Sequence, residues 1–131
     1  MSRYKLPILI LVSLFILLFI HLGGISNNWY VLIKHLDSVN HFIGGFAVGL
    51  TALWLLKRPK WVIPATLIIG ILWELFEAYF DIASWPVGTK MYIFDTTKDV
   101  ILDCAGAAVA LLLGWLSARG LKEEVAVNQP K

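Results

Sequence analysis

The sequence predicts an all-α fold, a polytopic membrane four-helix bundle, on three observations. The chain has 131 residues, of which 59% are apolar and only 15% charged. Its mean hydropathy of +0.76 is too high for a soluble domain of this length. Four apolar runs approach the ~20 residues that a helix needs to cross a bilayer, and turn signals separate them. Most basic residues fall in alternate connections, as they do when successive spans reverse direction. A single transmembrane domain over residues 1–131 is expected, with spans at about 6–25, 39–56, 61–80 and 97–116.

The first run, Leu6 to Ile25, follows a short basic head, Ser2-Arg3-Tyr4-Lys5. A basic head and an apolar core also occur in signal peptides. This run is long for one, and Gly24-Ile25-Ser26 is a poor cleavage site, so a retained helix is expected. Ser26 to Tyr30 reads as a turn with interfacial aromatics, and Val31 to Leu36 as a segment along the membrane surface. The second span ends at Lys57-Arg58-Pro59-Lys60, a basic turn with a helix-stopping proline. In the third, Pro64 falls in the first turn, where a missing N–H is tolerated. Asp81 to Phe94 reads as a connection, with turn signals at Trp85-Pro86-Val87-Gly88. After the fourth span, residues 117–131 read as a cytoplasmic tail.

Four spans put both termini on one side. Arg3, Lys5, Lys57, Arg58, Lys60, Arg119, Lys122 and Lys131 then share it, eight of the eleven basic residues. The positive-inside rule makes that side cytoplasmic and the protein a multi-pass inner (plasma) membrane protein. The same map sends Asp37, Glu74, Glu77, Asp81, Asp95, Asp99 and Asp103, seven of nine acids, to the outer half. His21, His35 and His41 go there as well.

An ionised carboxylate in hydrocarbon costs at least ~2.5 kcal/mol on the most lenient scale, so acids inside spans need a reason. Glu74 and Glu77 are three apart on one helix face, and Asp95, Asp99 and Asp103 form a stripe at intervals of four. With Phe80 and Thr97 as outer ends, Glu74 and Asp103 each lie ~9 Å down their helices, and Glu77 and Asp99 ~3–5 Å. His41 enters the second span at that level, one turn after Asp37. The expectation is one polar site built from Glu74, Glu77, Asp99, Asp103 and His41.

So many carboxylates around one imidazole repel unless something compensates. A bound divalent metal ion, protonation, or pairing with Lys98 and Lys90 are the three available answers. Carboxylates suit Mg²⁺, Mn²⁺ or Ca²⁺, and the added histidine admits Zn²⁺ or Fe²⁺. The competing reading is a hydrogen-bonded polar core that fixes helix register.

Small residues at Gly45 and Gly49 in the second span, and at Gly106, Ala110 and Gly114 in the fourth, predict close approach of those two helices. Trp29, Tyr30, Trp61, Trp85 and Tyr92 read as interface anchors. Trp73 either shields Glu74 or faces lipid, and His21 and His35 read as interfacial hydrogen-bonders. The lone Cys104 carries no disulfide information. No phosphate-binding glycine loop, nucleophile elbow or His-Glu-x-x-His helix is present. The basic residues are loop anchors rather than a patch, which leaves a nucleic-acid role unsupported.

Asp37-Ser-Val-Asn-His41-Phe-Ile-Gly44-Gly45, Gly70-Ile-Leu-Trp73-Glu74-Leu-Phe-Glu77 and Asp99-Val-Ile-Leu-Asp103-Cys-Ala-Gly106 resemble the three motif-bearing helices of VanZ-like membrane proteins. The Trp73-Glu74-x-Phe76-Glu77 and Asp95-Thr96…Asp99 pattern is closer to the YjdF-like inner-membrane proteins. Glu77 and Asp103 stand where VanZ-like proteins usually carry Gln and Asn. The resemblance covers about Asp37 to Gly114. It implies an integral membrane protein, some VanZ-like members being linked to glycopeptide-antibiotic tolerance at the cell envelope.

Two functional expectations follow. In the first, the outward-facing acidic site acts on, or binds, an envelope membrane lipid or its headgroup. If it is catalytic, metal-assisted hydrolysis or phosphoryl transfer is the class, with Glu74, Glu77, Asp99, Asp103 and His41 holding metal and activating water. In the second, the chain is a non-enzymatic cation or proton pathway, or an accessory subunit of a larger membrane complex. A pathway built from so short a chain would need a homo-oligomer.

Overall fold

A computed structural model describes residues 5–127, and every element in it is helical. In order they are α1 (Lys5–Ser26), the single turn α2 (Trp29–Leu32), α3 (Leu36–Leu56), a 3-10 turn (Pro59–Trp61), α4 (Val62–Tyr79) and α5 (Lys90–Val127). Four segments, Lys5–Gly24, Leu36–Leu56, Pro59–Tyr79 and Lys90–Arg119, are long and apolar enough to cross a membrane. The basic head Ser2 to Tyr4 and the last four residues of the expected tail lie outside the described residues.

The distribution of side chains suits lipid rather than water. Large apolar residues such as Leu11, Phe15, Ile68, Leu72 and Ile101 point outward. Apart from Ile10, Leu50 and Val62, the buried positions are small or polar, among them Ala47, Ala107 and Ala110 beside Ser13, Asn40, His41, Thr66, Glu74, Asp99 and Asp103. Where tails are as apolar as leucine, helices gain by close packing and by interhelical polar contacts, and polar groups gain by leaving the hydrocarbon.

Helix α3 is the hub, packed against α1, α4 and α5, and α4 also packs on α5. The α3–α5 contact is the tightest. A Cβ on Gly45 would strike the backbone carbonyl of Asp103, and one on Gly106 the carbonyl of Phe42. One turn further in, a Cβ on Gly49 would sit 2.8 Å from the Ala107 Cα. The small residues of the two helices thus meet as their spacing predicts, and the backbone approach fixes the depth of Asp103 against His41. In its N-terminal half α1 contributes Ile10 to a cluster with Leu50 and Ala110. Toward its C-terminal end, Gly23 and Gly24 leave the space that the rings of Trp29 and Tyr30 fill.

The largest departure from expectation is α5. It starts at Lys90, not near Thr97, so Met91 to Phe94 are helical rather than loop. Thr89 explains the start: it accepts a hydrogen bond from the Tyr92 amide at 3.2 Å, the geometry of an N-cap. Gly88 before it takes φ +84°, a turn conformation open to glycine. At the other end the helix runs past Leu116 to Val127. Its 38 residues span ~57 Å, well beyond the ~30 Å hydrocarbon thickness. Asp103 therefore lies ~20 Å from the helix start.

Candidate functional site

His41 is the centre of the polar cluster. It faces α5 and α4 from the second turn of α3, where Asn40 and His41 are the first buried residues of that helix. Its two ring nitrogens meet different partners. Nδ1 donates to Asp103 Oδ2 over 3.4 Å, a long hydrogen bond. Nε2 lies 3.7 Å from Glu74 Oε1 and 3.8 Å from Asp37 Oδ1. Those two separations exceed hydrogen-bonding range. Nε2 thus stands near two carboxylate oxygens without a hydrogen bond to either.

The carboxylates have few protein donors. Thr96 donates to Glu74 Oε2 at 2.8 Å, but Glu74 Oε1 is buried without a hydrogen-bond partner. Asp99 Oδ1 is in the same condition, although Lys98 Nζ stands 3.3 Å away at ion-pair distance. Lys98 makes its shorter contact to Asp95, at 2.7 Å. Trp73 Nε1 donates to Glu77 Oε1 at 2.8 Å. Glu74 and Asp99 are only 6% and 2% exposed. Glu74 Oε1 is thus costly unless a proton or a cation meets it, whereas Asp99 Oδ1 has the Lys98 ammonium at ion-pair distance.

Two groups of side chains bring ligand atoms within 4.8 Å of one another: Asp37, His41 and Asp99, and His41, Glu74 and Glu77. His41 belongs to both. Asp103 belongs to neither and engages the other ring nitrogen. The four expected carboxylates, Glu74, Glu77, Asp99 and Asp103, therefore converge on the expected imidazole of His41, and Asp37 joins them. Of the three compensations, lysine pairing is present only through Lys98; Lys90 makes no ion pair among the described residues. Asp81, in a left-handed turn after α4, is exposed and makes no ion pair among the described residues.

A second polar chain runs beside the cluster, and the sequence did not reveal it. Tyr30, expected as an interface anchor, is half-buried and donates its hydroxyl to His21 Nδ1 at 3.2 Å, while Asn40 Nδ2 donates to it at 3.0 Å. Burial pushes the Tyr30 phenol up to about 12, and the Asp37 and Glu77 carboxylates push the same way. The imidazole of His21 also meets the Trp73 ring edge-on, centroids 5.5 Å apart. The one signal available was Gly23-Gly24 followed by Trp29-Tyr30, a pair of slots and a pair of rings.

Beside the cluster lies a cavity of about 460 Å³ between α1, α3 and α4, with Asp103 of α5 at its margin. His41 and Asp103 both line it. A family model described as a predicted membrane protein (DUF2238) matches residues 1–120. That match names neither VanZ-like nor YjdF-like proteins. No curated protein and no solved structure matches the chain.

Proposed function

The chain belongs to the DUF2238 family of predicted membrane proteins, and on that premise we propose that its His41 centre binds a divalent cation and engages the headgroup of an envelope lipid. One observation carries this reading. His41 Nε2 lies 3.7 Å from Glu74 Oε1 and 3.8 Å from Asp37 Oδ1, and Glu74 Oε1 is buried without a hydrogen-bond partner. With Nδ1–H given to Asp103, the neutral ring presents a lone pair at Nε2 toward oxygens that are themselves acceptors. Nitrogen and oxygen ligands of one small cation stand ~3.0–3.5 Å apart, given bonds of ~2.0–2.2 Å. The gap is only a few tenths of an ångström wider.

In this arrangement Asp103 orients the imidazole and Thr96 orients Glu74, the supporting contacts that metal-binding histidines and carboxylates ordinarily have. The ligands are drawn from one of two sets that share His41, either Glu74 and Glu77 or Asp37 and Asp99. A cation there would lower the pKa of a bound water and polarise a headgroup oxygen, which makes hydrolysis or phosphoryl transfer the reaction class. The cluster holds no arginine, so the cation would also offset the repulsion between these acids and a phosphate. We place the site in the outer half of a multi-pass inner (plasma) membrane protein with both termini cytoplasmic, on the basic-residue asymmetry.

Elemental analysis of protein purified in detergent tests the reading. About one equivalent of divalent metal per chain is expected, lost in Glu74→Gln and Asp99→Asn variants that keep their thermal unfolding midpoint. A metal-free wild-type chain that instead carries pH-driven flux in liposomes would favour a proton or cation pathway and sink the proposal.

A further inference from the structure

The cavity between α1, α3 and α4 is lined by an acid that neither ligand set around Nε2 uses. Leu14 to His21 on α1, Asn40 to Val48 on α3 and Thr66 to Trp73 on α4 bound it, so it runs ~10–12 Å along the bundle. Its volume of about 460 Å³ falls within the range of small-molecule pockets. The walls are almost wholly apolar, with Leu14, Leu17, Val48 and Ile69 prominent. Among the described residues, Asp103 is the only carboxylate that lines it; Asp37, Glu74, Glu77 and Asp99 do not.

Asp103 is 6% exposed, and its two oxygens differ. Oδ2 takes the proton of His41 Nδ1 over a long 3.4 Å. Oδ1 accepts no hydrogen bond among the described residues, yet it is not sealed in as Glu74 Oε1 and Asp99 Oδ1 are. Two glycines open the space around this carboxylate. A Cβ on Gly44 would stand 3.8 Å from Oδ1 and 3.6 Å from Leu17 Cδ1, and one on Gly70 would stand 2.6 Å from Oδ2. Gly44, Gly70 and Leu17 all line the cavity, so Oδ1 faces open space rather than the underside of a side chain.

The chemistry of that oxygen sets the occupant. A carboxylate among apolar walls is costly while one of its oxygens is unmet. An anionic head is repelled by it, and a hydroxyl brings a donor but no charge. A protonated amine brings both, and charge-assisted hydrogen bonds are roughly twice as strong as neutral ones. Trp73, one turn from Gly70 on the same face of α4, adds an indole ring to the lining, and such rings attract cations. Helix α1 packs on α3, but α1 and α4 share no packed interface. A gap between two spanning helices is reached sideways from the bilayer, which suits a ligand with a hydrocarbon body. We propose that the cavity binds an amphipathic amine, its ammonium on Asp103 Oδ1 and its apolar body between α1 and α4. This site goes beyond the headgroup reading, which concerns the other ring nitrogen of His41, and it needs no metal.

The test is calorimetric titration of the full chain in detergent with octylammonium, octanol and octanoate, against protein-free micelles and with and without EDTA. One equivalent of octylammonium should bind at least tenfold tighter than octanol, and in EDTA octanoate should bind more weakly still. Asp103→Asn keeps the side-chain size and should cut octylammonium affinity at least tenfold, as loss of a hydrogen bond to a charged group does, while octanol binding stays roughly the same. Gly44→Leu and Val48→Phe fill the cavity without altering a charged group and should abolish octylammonium binding. Asp103 belongs to neither ligand group around Nε2, so octylammonium should bind equally in EDTA. Octylammonium that binds no tighter than octanol, selectivity that survives Asp103→Asn, or binding lost in EDTA would overturn the proposal. So would undiminished binding by a cavity-filling variant that keeps its unfolding midpoint, since the amine would then sit on the outer acids. Selective amine binding by a chain that carries no metal as purified refutes the cation centre alone; stoichiometric metal without amine selectivity refutes the amine site alone.

Discussion

Asp103 on α5 and His41 on α3 are joined through Nδ1 at 3.4 Å, and the contact depends on a glycine one turn further along. Gly45 lies against the carbonyl of Asp103 itself, so the backbone approach and the polar contact are one feature. Any side chain at position 45 pushes α5 away and withdraws Asp103 from the imidazole.

That gives a paired prediction about neighbouring glycines. Gly45→Ala should destabilise the protein by about 1–3 kcal/mol, as overpacking does. Gly44→Ala should be neutral or stabilising by up to ~1 kcal/mol, because its Cβ would meet only Leu17 at 3.6 Å and Asp103 Oδ1 at 3.8 Å while the helix loses a glycine. Thermal unfolding of the two variants in one detergent checks it; equal midpoints would mean that α3 and α5 do not pack this closely.

Thr96 offers a prediction about the cluster that leaves its charge untouched. Thr96→Val removes the only protein donor to Glu74 among the described residues, at 2.8 Å, without altering any proposed ligand. Divalent-metal affinity should fall by about tenfold or more, in line with other supporting hydrogen bonds of metal sites. Thr96→Ser should restore most of it, and calorimetric titration reads both.

The Tyr30 phenol, pushed up to about 12, makes a prediction with a definite sign. Its folded value lies above the ordinary tyrosine value of about 10, so the neutral form is the one the fold favours. The stability this provides is fully present below about pH 10 and is lost as pH rises through about 12. In a wild-type minus Tyr30→Phe difference titration at the tyrosinate absorbance band, the Tyr30 signal should rise near pH 12. A midpoint near the ordinary value of about 10 would show an exposed phenol outside the Asn40–Tyr30–His21 chain.

Much of this was legible in the sequence. Hydropathy and length located the four spans, because transfer into hydrocarbon outweighs every other preference of such runs. The close approach of α3 and α5 at Gly45, Gly49, Gly106 and Ala110 followed from small residues at helical spacing. Glu74, Glu77, Asp99, Asp103 and His41 were expected to meet in one polar site, and the four carboxylates surround the His41 ring. Other features left no comparable trace. The start of α5 was hidden because Met91 to Phe94 form a short unbroken apolar run with no helical period, and only Thr89 after Gly88 marked it. Depth alone also could not say that Asp103 takes one nitrogen of His41 while Glu74 and Asp37 face the other. That division depends on helix rotation, which side-chain spacing leaves open when one partner sits on a third helix. Tyr30 was read as an anchor because an aromatic at a span end usually is one; α2 folding onto Gly23 and Gly24 turned it inward.

The central claim is that a cation sits between His41 Nε2 and the surrounding carboxylates, and electron paramagnetic resonance of bound Mn²⁺ tests it most directly. Pulsed measurements on ¹⁵N-histidine-labelled protein should show coupling to a single imidazole nitrogen, absent in His41→Gln. Mn²⁺ that binds with no nitrogen coupling, or a coupling that survives His41→Gln, would contradict the centre described here.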